Sequence, residues 1–279
     1  MVEALQFVNY RRSGSAGPWR AGLLGAHGVA DVAVPGQAPG TEAGEPAMAA
    51  AGAWAMSGTD AAGEVVAGRL EIGPPVLRPG KIVAAAANYR DHANEMSEDR
   101  GTIEQQGFFL KAPSSLLANG GTVLLPVPGR RTDYEGELAV VVGQRARFLR
   151  EDDALDAVLG YTCLVDVSLR GEEDRGYRKS FDTFTPLGAG LVPRVCVPDL
   201  AACELTTLVN GEIRQQAALA QMIYGVPRLL AWISSVMTLL PGDIIATGTP
   251  QGVGPLHAGD DVSVRISGVS ALSVKVADR

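Results

Sequence analysis

The sequence predicts an α+β, strand-rich fold, and three observations carry that reading. Short runs of apolar and β-branched residues recur along the chain, among them KIVAAAAN, TVLLP and LAVVV. An Asn210-Gly211 pair stands between two alternating stretches, LTTLV and EIRQQ, and so marks a β-hairpin, because a type I′ turn needs positive φ at both central residues. Amphipathic helical spacing is rare; VPRLLAWISSVM, with Pro227 in its first turn, is the clearest case.

Along the chain, residues 1–73 read as a small N-terminal domain of short apolar pieces and Gly-rich turns, with one short helix near Ala47 to Met56. PPVLRPGK, residues 74–81, reads as an extended linker, since proline disfavours both helix and central strand. The larger domain, 74–279, opens on the strand KIVAAAAN. NYRDHANEM then starts a helical turn with Asn88 or Asp91 as its N-cap, and the polar stretch Ser97 to Gly107 is a surface loop. GFFLKAPSSLL and TVLLP follow as apolar segments around an ANGG turn. EDDALDAVLG reads as a helix and YTCLVDVSLR as a strand. PGD at 241–243 and AGD at 258–260 are tight turns feeding β-branched strands.

Composition narrows the function. The chain has 279 residues, 46% hydrophobic and 20% charged, enough for a sizeable core. A formal charge of -7 without a basic stripe argues against nucleic acid as a partner. No apolar run reaches the roughly 18 residues of a membrane span. The opening MVEALQFVNYRR lacks the pattern of a signal peptide. Cys163, Cys196 and Cys203 show no CxxC spacing, which fits reduced structural thiols in a cytoplasmic protein.

One stretch stands out. In TDYEGELAVVVG, Asp133, Glu135 and Glu137 alternate, so an extended chain points all three carboxylates to one side as the strand enters the core. Asp166 in CLVDVS has apolar neighbours on both sides. A solvated strand end would also carry such acids. Buried, they need a positive partner, because an unpaired interior carboxylate costs several kcal/mol or more. No His or Cys lies beside them, so a metal there is a hard ion, Mg²⁺ or Mn²⁺, and not zinc. His92 and Glu95, three apart, suit a general base whose imidazole a carboxylate orients. Taken alone, the pair fits a surface histidine on a polar helix better. Lys111, Arg170 and Lys179 are isolated cations that either snorkel or hold an anionic substrate.

Eight segments in order, KIVAAAANYRDHANEM, FFLKAPSSL, DYEGELAVVVG, GYTCLVDVSLR, KSFDTFTPLG, VNGEIRQ, SSVMTLLPGDIIATGTPQGVG and AGDDVSV, resemble the fumarylacetoacetate hydrolase family, in its acylpyruvase or fumarylpyruvate hydrolase-like branch. They occur in that family's order within about residues 74 to 276. The resemblance implies a β-roll catalytic domain around a metal site, and a homodimer. It implies that Glu135, Glu137 and Asp166 bind Mg²⁺ or Mn²⁺, with Asp133 peripheral. It implies a His92–Glu95 dyad that activates water, with residues 97–107 as a lid. Lys111, Arg170, Tyr177 and Lys179 fall at positions that contact substrate or stabilise an enolate, and Thr249 at one that meets a substrate carboxylate. Lys179 is thereby the residue that supports or protonates the enolate.

The reaction so implied is hydrolysis of the C–C bond in an acylpyruvate, a small anionic 2-oxo acid, through an enolate that the metal stabilises. Decarboxylation or isomerisation of a 2-oxo diacid, or dehydration, would use the same site. A catalytically inactive binding homologue is the rival from another class. The chain departs from the common R-D-x-Q pattern at Gly171, Glu172 and Glu173, which puts an acid where a substrate-facing glutamine is usual.

Overall fold

A computed structural model describes residues 5–25, 27–32, 46–57, 65–91 and 103–279. Gln6–Arg12, Arg20–Gly25, Gly28–Asp31 and Leu70–Gly73 form an antiparallel four-stranded sheet with Gln6–Arg12 and Arg20–Gly25 at its centre. The helix expected near Ala47 spans Pro46–Ser57. Its Ala47, Met48, Ala50 and Ala51 pack into one cluster with Phe7 and Ala21 of this sheet and with Ile82, Ala84, Ala139 and Ile244. Small side chains permit that close approach.

Residues 74–80 are a set of bends rather than an extended linker, and Val76 is completely buried. The reason is Asn9. Its side-chain amide donates to the carbonyls of Pro74 and Pro75 (2.8 and 3.1 Å) and accepts from the Ala47 N–H (2.8 Å). A buried asparagine thus satisfies carbonyls that no ladder reaches.

The central sheet has six strands, in the order Val192–Pro193, Val158–Val165, Gly136–Val142, Ile244–Ala246, Ile82–Ala85, Phe108–Lys111. Gly136–Val142 is buried at every position. Leu138, Val140 and Val142 pack into one hydrophobic cluster and Ala139 and Val141 into another, which is why the sequence reads as an unbroken apolar run. A second sheet, with Glu212–Ala218, Glu204–Val209, Asp261–Ile266, Ala271–Asp278 and Thr122–Leu125 in that order, packs beside it. Ala271–Asp278 alternates exposed and buried residues, as a sheet with one wet face requires. The predicted hairpin joins Glu204–Val209 to Glu212–Ala218, and Asn210 and Gly211 take φ of 54° and 81°.

The predicted helix 226–237 is present as Val226–Val236, burying Val226, Leu229, Leu230 and Ile233 on one face. EDDALDAVLG differs from expectation. Glu151–Ala157 is a 3₁₀ run, and the strand already starts at Val158. Only Ala154 and Ala157 of that run are buried, and their three-residue spacing matches the 3₁₀ period. The three acids Glu151, Asp152 and Asp153 remain in solvent, with no side chain capping the start. No helix among the described residues is long and apolar enough to cross a membrane.

Two neighbouring strands change sheets at the same level. Thr132–Tyr134 pairs with Ser168–Leu169 in a small three-stranded sheet, while Gly136–Val142 pairs with Val158–Val165 in the central sheet. Glu135 and Asp166 occupy the two breaks, joined by the Asp166 N–H donating to the Glu135 carbonyl at 2.8 Å. This shared corner places the acids face to face.

Candidate metal centre and active site

Glu135, Glu137 and Asp166 bring their carboxylate oxygens within 4.8 Å of one another, and all three residues are buried. Two-residue strand spacing puts both glutamates on one side, and the corner supplies Asp166. Gly136 between the glutamates has no room for a side chain. A Cβ there would stand 2.0 Å from Thr207 Oγ1 and 3.2 Å from Gln215 Oε1, so this strand lies hard against the second sheet. Glycine at the middle of E-x-E is therefore a packing requirement.

Four cations surround the acids. Lys179 Nζ donates to Glu135 Oε2 at 2.8 Å and to Asp166 Oδ2 at 2.5 Å. It is delivered by the short helix Arg175–Lys179, whose N-cap Asp174 accepts from the Gly176 N–H. Lys111, at the end of Phe108–Lys111, bonds Asp166 Oδ1 and donates to the Phe184 carbonyl at 2.8 Å. Arg170 donates to Glu135 Oε1 at 2.9 Å and to Asp133 Oδ2 at 2.7 Å. Arg131 closes the other side of Asp133 at 2.7 Å.

Asp133 is thus not peripheral. It is completely buried, outside the three-acid cluster, and two arginines hold it there. A carboxylate cannot stay in the interior unpaired, and Asp133 serves as the post against which Arg170 braces Glu135. The like charges that seemed to face one way are separated by interleaved cations.

Glu137 is the exception. Its one described hydrogen bond comes from the Gly248 N–H, at 2.7 Å, and no cationic side chain among the described residues contacts it. Burial, and then the charge of Asp166, push its carboxyl well above the usual range. Burial pulls Lys111 down. Burial also works against the Lys179 ammonium, but Asp166 and Glu135 outweigh it and the net shift is upward. Three oxygen ligands, one of them without a cation, fit a hard divalent ion.

The other expected site residues fall as follows. Thr249 is buried; its hydroxyl donates to the Gly136 carbonyl (2.9 Å) and accepts from Gln215 Nε2 (2.7 Å). Tyr177 stands exposed on the Arg175–Lys179 helix, its ring edge-on to Phe181 at 5.3 Å. Glu173 turns to Arg130, with bonds of 2.7 and 2.9 Å, and that guanidinium holds its carboxyl down to about 2. His92 and Glu95 lie outside the described residues, as do positions 97–102 of the expected lid. Ile103–Gln106 form one helical turn with Ile103 buried.

Asn88 is a clamp and not an N-cap. Its side chain donates to the carbonyls of Tyr224 and Thr247 and accepts from the Tyr224 N–H. One position escaped the sequence reading. Gln215 accepts from the Gly136 N–H and donates to Thr249 and to the Pro250 carbonyl, fastening the glutamate strand to the TGTP turn. Its one signal is a glutamine at an inward position of an alternating strand.

The C-terminal domain of fumarylacetoacetate (FAA) hydrolase matches residues 81–277. Maleylpyruvate hydrolase of Aquipseudomonas alcaligenes is 40% identical over 212 residues, which are 72% of this chain and 74% of that protein. The 4-hydroxyphenylacetate degradation bifunctional isomerase/decarboxylase of Escherichia coli is 42% identical over 198 residues, 69% of this chain but 46% of that protein. Among solved structures, maleylpyruvate hydrolase from Sphingobium sp. SYK-6 in complex with manganese(II) ion and pyruvate superposes with a TM-score of 0.78 at 33% identity, over 98% of this chain and 99% of that one. On these matches, this chain belongs to the fumarylacetoacetate hydrolase family of enzymes.

Proposed function

We propose that the protein hydrolyses the C–C bond of an acylpyruvate, a 2,4-dioxo acid, with Mg²⁺ or Mn²⁺ held by Glu135, Glu137 and Asp166. The observation that carries this reading is the three-carboxylate cluster with a protonated Lys179 bridging two of its members. The likeness to two maleylpyruvate hydrolases supports the substrate class. When bound, the ion supplies Lewis acidity for negative charge on the 2-oxo oxygen.

The chain's own residues supply the rest. His92, oriented by Glu95, takes a proton from water, whose oxygen bonds to the acyl carbon. The C–C bond then breaks with its electron pair on the pyruvate half. Lys179 holds a proton at Nζ beside the acid cluster for that leaving carbon. Lys111 and Arg170 fix the carboxylates of Asp166 and Glu135, so the cluster is organised before substrate arrives. Tyr177, exposed beside Lys179, and Thr249, whose hydroxyl braces Gly136, complete the substrate wall in this reading. The same reading has the chain acting as a homodimer in the cytoplasm, in keeping with three free cysteines.

The bifunctional isomerase/decarboxylase relative favours a second reading, in which the same site decarboxylates or isomerises a 2-oxo diacid. Both are tested by incubating the Mg²⁺- or Mn²⁺-loaded enzyme with acylpyruvates, oxaloacetate and hydroxymuconate-type diacids, with products identified by mass spectrometry. The expected result is pyruvate plus a carboxylic acid from the acylpyruvates, at a kcat/KM above that for either diacid. Release of CO₂ from oxaloacetate, or a shifted double bond, with no pyruvate from any acylpyruvate would reverse the order.

A further inference from the structure

Arg170 and Lys179, the two cations that grip Glu135, flank a turn with no buried side chain. Gly171, Glu172, Glu173 and Asp174 are all exposed, although Lys179 itself is buried. Packing does not fix such a stretch, so its placement depends on hydrogen bonds. Arg130 supplies them. Its Nη2 donates to the Arg170 carbonyl at 2.7 Å and to Glu173 Oε2 at 2.9 Å, and its Nη1 donates to Glu173 Oε1 at 2.7 Å. A planar guanidinium serves these three acceptors from one fork. Glu173 passes the hold onward. Its carbonyl accepts from Arg178 Nε at 2.6 Å, and the next residue, Asp174, caps the helix that delivers Lys179.

Gly171 makes room for this clamp. A Cβ there would stand 2.1 Å from Arg130 Nη2 and 2.3 Å from Glu173 Oε2. The backbone at Gly171 is not in the left-handed region, so the turn itself does not call for glycine. Both clashing atoms end flexible side chains, and a methyl group would displace the pair and leave the backbone in place. Gly171 and Glu173, two departures from the R-D-x-Q pattern, are thus one feature: an acid answered by Arg130 across a missing side chain. Both partners are partly exposed, and such a pair adds little to stability. What it holds is the turn.

We propose that Arg130 is a positioning residue for the metal centre: clamped to Glu173 across Gly171, it fixes the turn from which Arg170 and Lys179 reach the two carboxylate oxygens of Glu135. This rests on the metal site proposed above and not on the identity of the substrate. Without the clamp both cations keep their charge and lose their fixed places, and the Glu135 carboxylate loses its orientation with them. Partners that orient a metal ligand are typically worth ~10–100-fold in metal affinity.

The test is Mn²⁺ affinity by calorimetry, with the melting temperature in EDTA as the control for folding. Arg130→Ala is expected to bind Mn²⁺ ~10–100-fold more weakly. It should melt within about 4 °C of wild type, the scale of one exposed ion pair in a chain of this length. Arg130→Lys should match Arg130→Ala, because it keeps the charge without the fork. Gly171→Ala keeps both charges and displaces the pair, so it should show the same fall in affinity. The variant carrying both Arg130→Ala and Gly171→Ala should bind no more weakly than either alone, since each breaks the same clamp. Wild-type affinity in Arg130→Ala or in Gly171→Ala, or full recovery in Arg130→Lys, overturns the proposal. A melting loss well beyond that scale in both Arg130→Ala and Gly171→Ala also overturns it, because the clamp is then structural; if only one of them is destabilised, the other decides. A wild type that binds no Mn²⁺ overturns it together with the metal site. The expected pattern of affinities in an enzyme that fails to cleave acylpyruvates supports the clamp and sinks only the substrate reading.

Discussion

Glu137→Gln should abolish divalent-metal binding and activity while leaving the metal-free fold as stable as before, or more stable. The side chains are isosteric, and the amide oxygen can still accept from the Gly248 N–H. What disappears is a carboxylate that burial and the charge of Asp166 disfavour more than the charge of Lys179 and the Gly248 N–H offset. Removing a charge with those surroundings lightens the electrostatic load of the interior. The metal, in contrast, loses one of three protein ligands. Its Lewis acidity is worth several kcal/mol to charge development, so turnover should fall by more than about 10²-fold. Glu135→Gln should differ in kind. Glu135 accepts from both Arg170 and Lys179, so its neutralisation takes from each one of two carboxylate partners, and it should lose metal and stability together. Measuring Mn²⁺ affinity by calorimetry and melting temperature in the presence of EDTA separates the two effects. A Glu137→Gln protein that keeps full Mn²⁺ affinity would show that the ion, if any, sits elsewhere.

The second large effect concerns the base. His92→Ala should lower acylpyruvate cleavage by ~10²–10⁴-fold while substrate still binds, because a general base acts in the transition state and contributes about that much. Glu95→Gln should do less, since in the proposed dyad it would orient the imidazole without taking the proton from water. Oxaloacetate decarboxylation needs no activated water, so any such activity should survive His92→Ala better than cleavage does. Steady-state kinetics on both substrates decide the matter. An intact rate of acylpyruvate hydrolysis in His92→Ala would remove the dyad from the mechanism and move the decarboxylase or isomerase reading ahead.

Much of the fold was legible because its signals are local. The apolar run Leu138 to Val142 marks a strand buried on both faces, and Asn210-Gly211 marks the hairpin between Glu204–Val209 and Glu212–Ala218 through backbone sterics alone. The acids of the cluster were legible for a related reason: Glu135, Glu137 and Asp166 stand in strands whose neighbours are apolar, a context that carboxylates avoid without a purpose. What escaped depends on contacts between residues far apart in sequence. Asp133 looked peripheral because its partner Arg170 lies 37 residues away, and only the sheet corner brings them together. Gln215 reaches Thr249 across 34 residues, and Asn88 reaches Tyr224 across 136. The 3₁₀ run Glu151–Ala157 was missed because helical composition does not distinguish a three-residue period from one of 3.6 when only Ala154 and Ala157 are buried.

The account stands on one ion in one place. Crystals of the protein grown or soaked with Mn²⁺ can be measured on both sides of the manganese absorption edge, which locates the ion independently of any activity. The account predicts a single strong anomalous peak bounded by carboxylate oxygens of Glu135, Glu137 and Asp166, absent from Glu137→Gln crystals treated alike. No peak among these residues at saturating Mn²⁺, or a peak that persists there in Glu137→Gln, would contradict it.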